Sequence, residues 1–151
     1  MSTREQPWSD RAVAHGRILV LTDNPIARAI RDIATAVERE VVVVAEDEGG
    51  PGIEAQSGDA VVLCDHDAPD APSVLRAALT GDAAYVAMMA SRRRAAGLLE
   101  DLAAEGVDTT RLHVPAGHNL GGKGAGEIAL SVVAEIVAES YERTGGPMRD
   151  R

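Results

Sequence analysis

Short apolar runs alternate along this chain with longer stretches whose apolar residues recur every three or four positions. Arg17–Thr22, Glu40–Ala45, Asp59–Cys64 and Ala83–Met88 are rich in Val, Ile, Leu and Ala. Such runs suit strands buried on both faces. A shorter one, Arg111–Val114, predicts a further strand. Between them lie helical patterns. Pro25 is suited to a first helical turn. The spacing of Ile26, Ala29, Ile30, Ile33 and Val37 carries that helix to Val37. Pro72–Leu79 predicts a short helix with Asp70 as its candidate cap, and Arg92–Glu105 a longer one. Gly126–Glu142 places Ile128, Val132, Val133, Ile136 and Val137 on one side of a last helix.

Strand and helix alternate throughout. This predicts an α/β fold: a three-layer, doubly wound parallel sheet of about five strands, with helices on both faces and right-handed crossovers. One domain is expected over residues 16–143. It is flanked by a polar segment 1–15, which holds Pro7 and Trp8, and another, 144–151, both read as flexible tails. The connection Glu46–Gly58 is acidic, Gly-rich and long for this fold. It is expected either to move or to close over a site.

Composition narrows the function. With 24 acidic against 15 basic residues, the net charge is −9, which argues against nonspecific nucleic-acid binding and anionic membrane surfaces. Aromatic residues make up 2% and Phe is absent, so aliphatic side chains must build the core. Cys64 is the single cysteine. It excludes a disulfide within the chain and fits a cytoplasmic setting. No apolar stretch is long enough for a bilayer-spanning helix.

Ligands of such sheets bind beyond the carboxyl ends of the strands. Nearly every segment there is polar: Asp23 and Asn24, then Asp47, then Asp65 and His66, then Ser91 to Arg93, then Gly117, His118 and Asn119. Ser91 is a natural N-cap, yet Arg92, Arg93 and Arg94 follow it. Cations are disfavoured at a helix start, and Ala95, Ala96, Gly97 and Leu98 bring no compensating acid. The arginines therefore either extend into water or hold an anion. The loop Gly117–Gly124 offers backbone amides, with Lys123, to an anion, or is a plain connector. The first turn lacks the glycines that let a backbone approach a pyrophosphate, and Asp23 would repel a phosphate. Standard NAD(P) binding is disfavoured on that ground. Cys64-Asp65-His66-Asp67 matches no zinc spacing, and no metal site is expected there. His15 and His113 are read as structural or solvent-facing. No catalytic constellation is evident.

Tyr85–Arg93, Pro115–Gly121, Glu127–Ser131 with Ala134–Ile136, and Asp65-His66-Asp67 with Asp70 together resemble the C-terminal Rossmann-like domain of the XdhC/CoxI family, accessory proteins of xanthine dehydrogenase and related molybdenum enzymes. The resemblance spans Arg17 to Glu139. It implies a non-catalytic role in maturing molybdenum hydroxylases, with the molybdenum cofactor or a related phosphate-bearing ligand at the carboxyl edge. It implies as partners a molybdenum hydroxylase client and a separate protein carrying the family's N-terminal domain. Self-association as a homodimer is a further expectation. Ala87 and Ala90 stand where the family has glycine, and His118 where it has Leu. These departures keep two alternatives open: a degenerate scaffold acting only by protein contacts, and an NAD(P)-binding oxidoreductase with an altered pocket.

Overall fold

The computed structural model describes residues 15–44 and 54–150. Trp8, Asp47 and most of the connection between the second and third strands lie outside the described residues. The elements run β1 (Ile18–Leu21), α1 (Pro25–Ala36), β2 (Val41–Val44), β3 (Ala60–Leu63), α2 (Ala71–Thr80), β4 (Tyr85–Met88), α3 (Arg92–Ala104), β5 (Leu112–His113), α4 (Ala125–Ser140) and a 3-10 turn at Met148–Asp150. The fold expectation holds. Five strands form one parallel sheet in the order β2-β1-β3-β4-β5. The order reverses between β1 and β3, which makes that gap the switch point.

The two-residue period of a strand divides the core into two layers. Ile18, Val20, Ala60, Val62, Tyr85 and Ala87 face α1 and α4. Leu19, Val61, Leu63, Val86, Met88 and Leu112 face α2 and α3. Both faces being covered explains why the strand sequences show no polar alternation. On the α2–α3 side a cavity of about 330 Å3 opens between Leu19, Leu21, Val44, Val61 and the α2 residues Val74 and Ala78. Among the described residues its walls are mostly apolar and contain none of the polar residues expected at the carboxyl edge.

Local chemistry sets the helix ends. Asn24 caps α1: its Oδ1 accepts from the Ala27 amide at 2.8 Å, and Pro25 occupies the first turn. Ser91 caps α3 by accepting from the Arg94 amide at 3.1 Å. Asp70 stands at the cap position of α2 but makes no side-chain cap bond. Its backbone oxygen instead accepts from the Ser73 hydroxyl and the Val74 amide. At the other end of α2, the Arg111 guanidinium donates to the carbonyls of Ala78, Leu79, Gly81 and Ala83. A cation there satisfies otherwise unpaired carbonyls and complements the helix dipole.

The amino edge of the sheet is closed by one buried carboxylate. Asp59, whose side chain is 4% exposed, accepts from the Arg17 guanidinium at 2.7 Å. It also accepts from the amides of Arg17 and Gln56. Burial pushes its carboxyl up, but these bonds and the Arg17 charge outweigh burial and hold it below the usual carboxylate range. Among the described residues no helix is long and apolar enough to cross a membrane.

Candidate functional site

At the switch point the carboxyl edge is tied shut. The Cys64 amide donates to the Leu21 carbonyl. Asn24 Nδ2 donates to the Cys64 carbonyl at 3.3 Å while Oδ1 caps α1. One side chain thus bridges the loops after β1 and β3. Asp23 is paired with Arg28 at 3.0 Å on the surface. Asp23 and Asn24, both expected at the ligand edge, each make contacts within the chain. Cys64 is a buried thiol, pushed up to about 12 by burial and by the neighbouring Asp65 charge. It is thiol, not thiolate, at neutral pH.

The loops after β3, β4 and β5 lie side by side because their strands do. The Met89 amide donates to the Leu63 carbonyl, and the Ala116 amide to the Met88 carbonyl. This brings the segments holding Asp65 and His66, Ser91 to Arg93, and Gly117 to Asn119 to adjacent stretches of one edge. Asp65 and His66 are half-buried and Asp67 is exposed, with ligand atoms of all three within 4.8 Å of one another. Bonds within the loop account for this clustering. The Asp67 amide donates to Asp65 Oδ1, and His66 Nε2 lies 3.4 Å from Asp67 Oδ1. No other group of three metal-type donors occurs among the described residues.

The starts of α3 and α4 are opposites. α3 begins with Arg92, Arg93 and Arg94, all exposed, and has no acid in its first turn. None of the three arginines makes an ion pair among the described residues. α4 has Glu127 in its first turn. The Glu127 carboxylate folds over the glycine loop: a methyl placed on Gly122 would lie 2.6 Å from its Cδ, and one on Gly124 3.6 Å from its Oε1. The chain's own carboxylate takes the place an external anion would need. The loop beside Lys123 is therefore supplied with negative charge, whereas α3 is not.

Glu135, in the middle of α4, organises a polar cluster. Its Oε1 accepts from the Tyr85 hydroxyl at 2.5 Å and the Gly117 amide at 3.1 Å. His113 Nδ1 lies 3.3 Å from the same oxygen, and His118 Nδ1 4.0 Å from Oε2. Tyr85 and His113 stack with ring centroids 4.6 Å apart. Burial, then the Glu135 bond and charge, push the Tyr85 hydroxyl well above its ordinary range, so it stays a proton donor. The cluster fixes the loop after β5. Gly117 adopts φ +97°, and any side chain there would collide with Ser131, since a methyl would lie 2.4 Å from its Oγ. Gly117 is thus required by helix packing. His113 belongs to this structural cluster, and His118 turns toward α4 rather than toward α3. Asn119 is exposed in the loop. A sequence signal for the cluster existed: a Tyr in an otherwise apolar strand needs a hydroxyl partner, and Glu135 interrupts an apolar helix face.

A sequence model of the XdhC Rossmann domain matches residues 18–136. Over 68 residues the chain is 40% identical to an uncharacterized protein of Escherichia coli K12, YqeB, covering 43% of this chain and 13% of that protein. Among solved structures it resembles a xanthine dehydrogenase from Bacillus halodurans with a TM-score of 0.69 and 18% identity. That match covers 86% of this chain and 44% of the other, and shows likeness of fold. The chain thus spans less than half the length of each of these relatives.

Proposed function

The chain belongs to the XdhC family through its Rossmann domain, and we propose that it is a non-catalytic accessory protein in the maturation of molybdenum hydroxylases of the xanthine and CO dehydrogenase type. In this reading it holds the molybdenum cofactor, or a related phosphate-bearing ligand, at the carboxyl edge between the ends of β3, β4 and β5. One observation carries the reading. Three exposed arginines open α3 with no acid in its first turn, in a chain of net charge −9. Without an anion they are a local cost. With a phosphate they supply charge-assisted bonds next to the Ser91-capped amides.

The residues present fit such a group. Arg92 and Arg93 would hold the phosphate, and the half-buried Asp65 and His66 offer polar partners on the adjoining loop. The cofactor itself would bring the molybdenum chemistry, and the protein would bind and shield it. The tie from Asn24 to Cys64 favours this position over the switch point, and disfavours a dinucleotide laid across β1. A cytoplasmic location, a molybdenum hydroxylase client and a partner chain with the family's N-terminal domain complete the proposal.

The test is thermal unfolding with molybdenum cofactor, its nucleotide forms, NAD(P) and inorganic phosphate. A stabilisation by the cofactor that grows with its concentration is the expected result. If none of these ligands moves the unfolding temperature, the cofactor-binding reading fails. The scaffold reading, supported by the tied-shut switch point, then takes its place.

A further inference from the structure

His118 is held in an unusual way. Its backbone amide donates to the Ser131 carbonyl at 3.1 Å. Its Nδ1 faces Glu135, and its Nε2 is buried with no hydrogen-bond partner among the described residues. The atom is covered by the segment that follows α4. At the end of that helix Glu142 takes φ 56° and the Arg143 amide bonds to the Ala138 carbonyl, which turns the chain back along α4. The returning backbone passes directly over the imidazole at Gly145. A methyl on Gly145 would lie 2.4 Å from His118 Nε2, and Gly145 has φ +82°. Two constraints, one steric and one conformational, therefore demand glycine at this position.

The covering segment is weakly held. Every residue from Tyr141 to Asp150 is exposed, so little apolar burial anchors it. Its closure also leaves a polar nitrogen dry and unpaired, which is unfavourable. A covering that buries so little and leaves its target unsatisfied is suited to opening.

We propose that residues 142–146 form a strap over His118, and that a partner or ligand at this edge reaches the imidazole only when the strap lifts. Lifted, the strap frees Nε2 to donate to or accept from an incoming polar group beside the loop after β5. The consequence for binding rests on the reading of this edge as a phosphate-ligand site. The strap itself does not.

The test is the rate at which diethyl pyrocarbonate modifies each histidine at neutral pH, followed by mass spectrometry. It compares the full chain, Gly145→Ala, and a variant ending at Arg143, with circular dichroism to confirm that each is folded. The expected result is a rise of about fivefold or more at His118 in both variants, with His66 as an unchanged internal reference. Unchanged His118 rates in both folded variants would overturn the strap. So would a His118 that already reacts as fast as free imidazole in the full chain. The readout uses no ligand. If phosphate-bearing ligands fail to bind while His118 is still released, the functional reading falls and the strap stands.

Discussion

The two edges of the sheet treat charge in opposite ways. At the amino edge, Asp59 is buried and receives three hydrogen bonds, two of them from the amide and the guanidinium of Arg17. Arg111 there is spent on the carbonyls that end α2. At the carboxyl edge, Arg92, Arg93 and Arg94 are exposed and make no ion pair among the described residues. His118 Nε2, covered by residues 142–146, likewise has no hydrogen-bond partner among the described residues. A charge whose bonds are all made within the fold contributes to stability. A charge left without partners is available to something outside. Substitutions at the amino edge should therefore cost stability and leave binding alone, and those at the α3 start should do the reverse.

The largest effect is expected from Asp59→Ala. It strips two backbone amides and the partly exposed Arg17 guanidinium of their acceptor, and should cost about 2–4 kcal/mol in urea unfolding. The pH dependence follows from the direction of the shift. Asp59 titrates lower in the folded protein than in the unfolded chain. Its stabilisation is full above the ordinary aspartate value of about 3.9 and is lost as pH falls through the lower folded value. Asp59→Ala should flatten that acid limb. An acid limb identical to that of the full chain would contradict the assignment.

Tyr85→Phe should come next, at about 1.5–3 kcal/mol, because it removes a bond to a largely buried carboxylate. It separates the Glu135 cluster from the site beside it. Faster exchange of the Gly117 amide should accompany the loss, since both groups share Glu135 Oε1. Asn24→Ala is smaller, about 1 kcal/mol for the lost cap. It also cuts the tie to Cys64.

The smallest effect on stability belongs to Arg92→Glu with Arg93→Glu. Replacing cations by anions at a helix start should change stability by less than about 1 kcal/mol, in the favourable direction.

Much of the fold was legible in the chain, and less of the site. The five strands and four helices follow from runs and spacings that are local in sequence. Their ends shift by a residue or two because caps and frayed turns decide them. The parallel sheet followed from the alternation of elements and the continuous apolar strands. The Glu135 cluster joins residues 18 to 50 positions apart, and no local spacing encodes that. Asn24 caps α1, and capping and ligand binding draw on the same residue types at the same turn. The Glu127 carboxylate over Gly122 likewise answers, from within the chain, an anion site that glycines and Lys123 had suggested. Asp47, one of the polar residues expected at the carboxyl edge, lies outside the described residues.

The most direct measurement is a calorimetric titration of molybdenum cofactor into the full chain, the Arg92→Glu, Arg93→Glu variant and Asp59→Ala, at a temperature where all three are folded. The account predicts binding by the full chain and by Asp59→Ala with similar affinity, and a loss of more than about tenfold when the arginines are reversed. Equal affinity in the full chain and the reversed variant would show that the α3 arginines do not hold the ligand, and would contradict the central claim.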